Sequence, residues 1–362
     1  MSPPSGPAVS PPASIASDCS VDVSHVLKKW LESLPAGQTV LLAPGACYLV
    51  DTGIRLVDRQ GLTIFGGTFR NESDSVSPGE NSKGAAVFTF VGGSDIALED
   101  MEIHGANPGG YHPHLAFDGG IELEGTNTAT IRSVTIDNTF GDGITLAPLR
   151  GGADHNSGQI LAPSSQVSIR DVTVSGAGRQ GITLASVSGA DLSDVVVVDP
   201  GLDTFDLEAD QANEGARDVS IDGCEASGGL LFFANGGAGS GRTTGDITVQ
   251  DCTMTTREGG SAILVERKGH GKYDRGPFTF AADRLICGES IYVACVELSG
   301  AQVTLSDVTL KFPRGKTHEA VYHLAAGSTA VFDDDVVEGY GRRGKLFGGS
   351  SAHVSGGIWT SG

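Results

Sequence analysis

One strand-turn-strand motif recurs along most of the chain, and it restricts the possible folds more than any other feature. The motif alternates apolar and polar residues on both sides of a turn, and residues 167–174, VSIRDVTV, are its clearest copy. Successive copies lie about 23 to 38 residues apart, a period typical of solenoids. Further copies begin near Leu62, Ile96, Ile131, Ala190, Val219, Ile247, Val303 and Ala330.

A second short strand recurs between these copies, at residues 120–124, 143–146, 181–184 and 205–208. Two or three short strands per repeat fit a coil in which each strand lies parallel to its counterpart one turn later. The 53 glycines among 362 residues provide tight turns between strands. The pattern therefore predicts an all-β fold, a parallel β-helix, with Ile121, Ile144, Ile182 and Phe205 stacked inside.

The N-terminal region has a different pattern. Residues 1–20 are rich in Pro and Ser and predict a tether, while residues 21–362 predict a single β-helix domain. Apolar residues at helical spacing predict an amphipathic helix over 23–34, which covers the open end of the coil.

Charge and composition exclude several functions. The formal net charge is −20, with no basic run, so nucleic acid is not an expected partner. No apolar stretch approaches the roughly 18 residues that a membrane span needs.

The six cysteines contain no CxxC pair, and their pairing stays open; Cys19 and Cys47 flank the predicted helix. A tether of this kind commonly follows a signal or lipid anchor, so we expect a secreted or cell-surface protein.

Several stretches resemble the pectin-lyase-like superfamily of right-handed parallel β-helices, in a poorly characterised, secreted bacterial branch. They are LPAGQTVLLAPGACYLV, GLTIFGG, GANPGG, GDGITL, GRQGITL and DTFDLEAD, and the resemblance covers residues 21–362. It implies a right-handed β-helix that acts on polysaccharides. It does not imply one reaction, because this fold hosts lyases, hydrolases, epimerases and binding proteins.

Acidic residues collect on the outward side of the second strand. When the four copies are aligned on their inward residues, Glu122, Thr145, Thr183 and Asp206 form one outward column, and Glu124 and Glu208 belong to the next. Glycosidic hydrolysis needs a carboxylic acid and a carboxylate at a suitable spacing. The predicted catalytic residues are Asp142, Asp206, Glu208, Arg179 and Asp203.

The alternative interpretation of these residues is structural. Asp142 and Asp203 fit turn positions, Arg179 fits an ion pair with either of them, and outward glutamates fit a solvated face. The predicted substrate-binding residues are Glu122, Glu124, Gln180, Tyr111, His114, Asn235 and Arg267.

Three functions remain open. The first is a glycoside hydrolase that cleaves a polysaccharide with paired carboxylates and needs no cofactor. A neutral or weakly charged glycan suits the acidic chain best. The second is a polysaccharide lyase or epimerase, with Arg179 or a histidine as base and calcium as a possible cofactor. The third is a non-catalytic glycan-binding or phage tail-type module. The sequence leaves the glycan and the oligomeric state undetermined.

Overall fold

The chain folds into two compact units, residues 1–182 and 183–362. Each is built from short parallel strands that form a long sheet and a short sheet, which confirms the predicted all-β parallel β-helix. The computed structural model describes residues 8–73, 86–151, 159–207, 209, 214–235, 244–257, 260–265, 275–287, 294–312, 320–325, 327–339, 345–348 and 353–361.

In the first unit, the long sheet consists of the strands Ala8–Val9, Asp18–Asp22, Gln38–Leu41, Cys47–Leu49, Gln60–Phe65, Thr68–Arg70, Ser94–His104, Asn127–Asp137 and Ser164–Ser175. The short sheet consists of Ile54–Val57, Phe88–Val91, Ile121–Glu124 and Ile144–Ala147. An antiparallel hairpin joins Leu149–Arg150 to Ile160–Ala162.

In the second unit, the long sheet consists of Ser186–Val198, Gly215–Asp222, Glu225–Ser227, Gly245–Gln250, Thr253–Thr255, Arg275–Ala281, Arg284–Ile286, Ala301–Ser306, Thr309–Lys311, Thr329–Glu338 and His353–Ser361. The short sheet consists of Ile182–Leu184, which begins at the division between the units, Phe205–Asp206, Leu231–Asn235, Ser261–Val265, Ala294–Leu298, Ala320–Leu324 and Lys345–Gly348.

The predicted helix forms, and it spans Ser24–Ser33. Its buried residues Leu27 and Leu31 line a small apolar cavity together with Ile64 and Phe69 of the first unit's long sheet. Apolar residues at helical spacing therefore face the core, as the sequence pattern requires. The described helices are too short to traverse a lipid bilayer.

Part of the Pro/Ser-rich N-terminal segment is incorporated into the sheet. Ala8–Val9 pairs with the strand Gln38–Leu41, and Asp18–Asp22 pairs with Cys47–Leu49. Ile15 is buried between these two contacts. The structure thus places residues 8–20 of the predicted tether against the coil, where backbone pairing and one buried apolar side chain hold them.

A left-handed residue bends the long-sheet strands at the turn of the repeated motif. Aspartate is the commonest residue there, because it adopts positive φ more readily than most side chains. At Asp171 φ is 51° and at Asp194 it is 53°. The same conformation recurs at Asp100, Asp251, Asp307 and Asp334.

The six cysteines form three disulfides. Cys19–Cys47 joins the strands on either side of the helix, a pairing that the sequence left open. Cys224–Cys252 and Cys287–Cys295 lie in the second unit. Half-cystines in three separate pairs are typical of proteins that fold in an oxidising compartment.

Two buried aspartates occupy the core position that follows the bend. In the other repeats this position holds an apolar or half-cystine side chain, such as Val172 or Cys252. One Asp283 oxygen accepts the backbone N–H of Cys252 at 2.9 Å, and one Asp335 oxygen accepts that of Val308 at 2.8 Å. The second oxygen of each carboxyl is buried without a hydrogen-bond partner in the described structure.

Burial is the main reason that both carboxyl groups favour the protonated form. It raises the pKa of Asp283 to about 8, and the nearby Asp251 carboxylate adds to the effect. It raises the pKa of Asp335 to about 7, with smaller contributions from Asp307 and Asp333. The native state therefore holds protons that the unfolded chain releases near its ordinary aspartate pKa of 3.8.

These pKa values predict how stability changes with pH. The stabilising effect of protonation is complete below about pH 4 and is lost as the pH rises through about 7 to 8. Between those limits, each group lowers the free energy of unfolding by about 1.4 kcal/mol per pH unit. We expect Asp283→Asn and Asp335→Asn to be more stable, relative to the parent chain, at pH 8 than at pH 5.

Thermal unfolding of the parent and both variants at these two pH values measures the difference. Asp171→Asn is the matched control, because Asp171 holds the same left-handed bend position in the first unit, is exposed, and can be replaced by asparagine, which also accepts positive φ. The same pH dependence in all four proteins would contradict the prediction.

Candidate functional site

The outward face of the first unit's short sheet presents a column of polar side chains. Each strand of this short sheet forms one rung of the coil. From one rung to the next, the register pairs Arg55 with Thr89, Thr89 with Glu122, and Glu122 with Thr145. The adjacent column pairs Glu124 with Ala147. The predicted pairings of Ile121 with Ile144 and of Glu122 with Thr145 are therefore confirmed, because parallel in-register strands place equivalent residues about 4.8 Å apart.

Glu124 is held by an arginine two rungs away. Arg55 Nη1 donates to Glu124 Oε1 at 2.6 Å, and Nη2 donates to Oε2 at 3.3 Å. The Glu124 side chain is 7% exposed and that of Arg55 is 37% exposed. This bidentate contact fixes the planes of the Arg55 guanidinium and the Glu124 carboxylate relative to each other, which a single hydrogen bond would not do.

Asp142 is held at the corner that precedes the strand Ile144–Ala147. Its carboxylate accepts hydrogen bonds from Thr145 Oγ1 at 3.1 Å, the Gln180 backbone N–H at 3.1 Å and Arg179 Nη1 at 3.2 Å. The Asp142 side chain is 4% exposed. Gly143 must be glycine, because a Cβ there would collide with Val174. The predicted pairing of Arg179 with Asp142 is thus present.

Glu122 lies between these two ion pairs and belongs to neither. Among the described residues, no basic side chain lies within ion-pair distance of Glu122. Burial raises the pKa of Glu122 to about 8, and the charges of Glu124 and Asp142 raise it further, whereas Arg55 and a hydrogen bond with Thr89 act in the opposite direction. Its carboxyl is therefore mainly protonated at neutral pH.

These side chains form one cluster, which we call the acid–arginine cluster: Arg55, Thr89, Glu122, Glu124, Asp142, Thr145 and Arg179. It combines a carboxyl group of raised pKa, Glu122, with two carboxyl groups that form ion pairs with arginines. Two carboxyl groups whose environments separate their protonation states are the usual components of acid–base catalysis. Within the described residues, no group of three His, Cys, Asp or Glu side chains has the arrangement of a metal site.

The loop before Ile121 carries exposed aromatic side chains. Asn107 anchors this loop, since its Nδ2 donates to the backbone oxygens of Gly110 at 3.1 Å and Thr139 at 3.0 Å. Tyr111 is 44% exposed and Phe117 is 54% exposed. These flat apolar surfaces suit the faces of sugar rings.

Two further contacts place this loop beside the turn that carries Asp142. The His112 ring packs edge-on against Phe140 at 5.4 Å, and the Gly141 backbone N–H donates to the Asp118 carbonyl at 2.8 Å. His114 is exposed in the short 3-10 helix Pro113–Leu115.

The remaining predicted site residues lie in the second unit or outside the described residues, and their place in the site stays a prediction. Asp203 and Asp206 belong to the second unit, where Asp206 is buried and pairs in register with Ala234. Asn235 ends the strand Leu231–Asn235, and its side chain is outside the description. Glu208 and Arg267 lie outside the described residues.

Arg55, Thr89 and Phe117 were missed by the sequence reasoning. The segments IRLV at 54–57 and FTFV at 88–91 carry the same alternation as the strand Ile121–Glu124, and that alternation is the signal that would have found them.

The fold and its outward face define the class of the protein as a right-handed parallel β-helix with an acid–arginine cluster on one sheet. No protein-family model and no curated protein sequence matches the chain. Its similarity to known proteins is therefore structural.

Two solved structures illustrate that similarity. The tailspike protein of Escherichia coli bacteriophage HK620, solved in complex with a pentasaccharide, has a TM-score of 0.64 at 13% identity. That match covers 95% of this chain and 62% of the tailspike chain, so this chain spans less than two thirds of the tailspike's length. The Streptococcus pneumoniae surface protein and adhesin PfbA has a TM-score of 0.62 at 12% identity, with 98% of each chain covered.

The cluster predicts a measurable coupling between two carboxyl groups. Replacing Glu124 by Gln removes a neighbouring negative charge, and this favours ionised Glu122. We expect Glu124→Gln to lower the pKa of Glu122 well below its value of about 8. Carbon-13 NMR titration of glutamate carboxyl groups measures it, with the resonance assigned by its loss in Glu122→Gln.

Glu99→Gln provides the matched control. Glu99 forms a comparable cross-rung pair with Arg132, at 2.8 Å, on the long sheet. This variant should leave the Glu122 titration unchanged. Equal Glu122 titrations in Glu124→Gln and in the parent would refute the coupling.

Proposed function

We propose that the protein is a carbohydrate-active enzyme, a glycoside hydrolase that cleaves a polysaccharide at the acid–arginine cluster. The observation that carries this proposal is the position of Glu122 on the outward sheet face, close to the Arg55–Glu124 and Arg179–Asp142 ion pairs, where burial and neighbouring negative charge raise its pKa. Hydrolysis of a glycosidic bond uses a pair of carboxyl groups, because one group must donate a proton while the other acts as base or nucleophile.

In the proposed mechanism, Glu122 donates its proton to the leaving glycosidic oxygen. Its half-buried position on the outward face leaves one side open to a substrate. Asp142 activates the attacking water or attacks the sugar carbon itself. Arg179, Thr145 and the Gln180 backbone N–H hold the Asp142 carboxylate in one orientation. The anomeric form of the first product distinguishes inversion from retention.

The aromatic loop supports a glycan substrate. Tyr111 and Phe117 expose ring surface beside the corner that carries Asp142, and sugar rings stack on such surfaces. We assign His114, Gln180 and Glu124 to substrate binding or to orientation of the pair. Asp203, Asp206, Glu208, Asn235 and Arg267 remain predicted contributors on the second unit.

Two other observations agree with an exported, glycan-related protein. Three disulfides suit an oxidising compartment outside the cytosol. The structural neighbours include a tailspike in complex with a pentasaccharide and a bacterial surface adhesin. We therefore propose a polysaccharide partner and a secreted or cell-surface location.

A non-catalytic glycan-binding module is the second candidate. The observation that favours it is the match to the adhesin, which covers 98% of both chains. A binding module differs from the hydrolase in one measurable respect. It cleaves no glycan, and variants in which the Glu122 or Asp142 carboxyl is replaced by an amide should still bind the glycan.

A lyase or epimerase is supported less well. Its predicted base, Arg179, forms an ion pair with Asp142, and an ion pair favours the charged guanidinium over the neutral base. Calcium remains a prediction tied to this alternative.

We expect Glu122→Gln and Asp142→Asn each to lower the rate of hydrolysis by about 10²- to 10⁴-fold, because each removes one half of the acid–base pair. The rate of the parent should fall as the pH rises through about 8, where Glu122 loses its proton. A panel of neutral and acidic polysaccharides, assayed for new reducing ends and for ultraviolet absorbance of unsaturated uronates, measures both effects.

Glu99→Gln, on the other sheet of the same unit, should retain full activity. Unsaturated products would replace the hydrolase proposal with a lyase. Glycan binding without any cleavage would favour the binding module instead.

A further inference from the structure

A pocket opens at the edge of the first unit's short sheet, close to the end of the helix Ser24–Ser33. Its volume is about 420 Å³, which lies within the range of sites that bind small molecules. Ile54–Val57 is the edge strand among the described strands of that sheet, and the helix contacts it. The turn after this strand forms one wall of the pocket, and the end of the helix with the residues that follow it forms the other.

Hydrogen bonds fix the two walls relative to each other. Arg59 Nη1 donates to the Leu34 carbonyl and Nη2 donates to the Pro35 carbonyl, each at 2.6 Å. The Gly37 backbone N–H donates to the Gly61 carbonyl, also at 2.6 Å, and a Cβ at Gly61 would collide with Gly37. A site with walls fixed in this way loses less conformational entropy when a ligand binds.

The lining of the pocket combines apolar and polar side chains. Val57 is 60% exposed and Ala36 is also exposed, so both present apolar surface. Asp58 and Glu32 supply carboxylates, and Gln60 supplies an amide. A sugar has the matching composition, because its C–H face packs on apolar side chains and its hydroxyl groups donate to carboxylates. A sugar ring therefore suits this pocket better than a purely apolar ligand does.

The pocket and the acid–arginine cluster share one outward column of the sheet. Val57 pairs in register with Val91, and Val91 pairs with Glu124. Two rung spacings, about 10 Å, therefore separate Val57 from Glu124. The Arg55–Glu124 ion pair spans the rung between them. A polysaccharide that extends across the rungs from Glu122 would reach the pocket within a few sugar units.

We propose that this pocket is a distal subsite, which binds a sugar unit of the polysaccharide that the acid–arginine cluster cleaves. Asp58 accepts hydrogen bonds from the hydroxyl groups of that unit, and Val57 packs against its ring. Binding energy from such a remote unit helps to hold the polymer in place at the reacting bond. This inference rests on the proposed function, because it extends the same substrate-binding face.

The experiment uses fragments of increasing length, prepared from a panel polysaccharide that the parent chain cleaves. All proteins in the binding measurement carry Glu122→Gln, so that the fragments stay intact. Asp58→Asn removes the carboxylate with little change of shape, and asparagine accepts the φ of 49° at this position. Ala36→Leu fills part of the pocket with an aliphatic side chain. Isothermal titration calorimetry measures the dissociation constant of each fragment.

We expect the affinity to rise at least tenfold at the fragment length that first reaches the pocket. Asp58→Asn should weaken binding of fragments of that length and longer by about tenfold, the size of one hydrogen bond to a charged group. Ala36→Leu should abolish the rise, and neither variant should alter binding of shorter fragments. Asp100→Asn makes the same change at an exposed aspartate of positive φ on the long sheet, and should match the parent at every length.

The outcomes separate the two proposals. An affinity that does not rise with fragment length, or variants that weaken short and long fragments equally, would overturn the distal subsite alone, since the parent still cleaves the polymer. A parent that cleaves no polysaccharide of the panel would overturn the proposed function and this inference with it. Circular dichroism of each variant confirms that a loss of affinity is not a loss of fold.

Discussion

In-register hydrogen bonding between parallel rungs is the constraint on which the rest of this structure depends. Each short strand pairs with the strand one turn later at the equivalent residue, as Ile121 does with Ile144. Apolar residues therefore stack on apolar residues, and outward side chains stack on outward side chains. The left-handed aspartates at the bends, such as Asp171, keep that register by turning each strand at the same point.

The same register brings charges close together on the outward face. Glu122 and Thr145 are opposite one another because their strands are paired, and Asp142 precedes one of those strands by a single turn. Backbone pairing fixes the strands about 4.8 Å apart, so the three carboxyl groups are held close together. Two arginines compensate two of the acids, whereas burial, and after it the charges of those two acids, raises the pKa of the third, Glu122.

Much of the fold was predictable because the motif is local. Alternation around a turn residue is visible in any single copy, so the strands near residues 62, 96, 131 and 167 were located correctly. The rung that contains Phe278 and Phe280 was missed, because its aromatic side chains and its Ala282 bend depart from the aliphatic–aspartate pattern. The N-terminal strands were missed for a related reason: proline- and serine-rich segments show no alternation, although Ala8–Val9 pairs with Gln38–Leu41.

The sequence by itself determined the parallel β-helix, the helix near the N-terminus and the stacking of Glu122 on Thr145, because all three follow from residue periodicity. Only the tertiary structure decided which charges meet. Arg55 reaches Glu124 from a strand 69 residues earlier in the chain. Arg179 reaches Asp142 from a corner 37 residues later. Ion pairs and burial depend on distances across rungs, and sequence spacing does not encode those distances where insertions change the length of a turn.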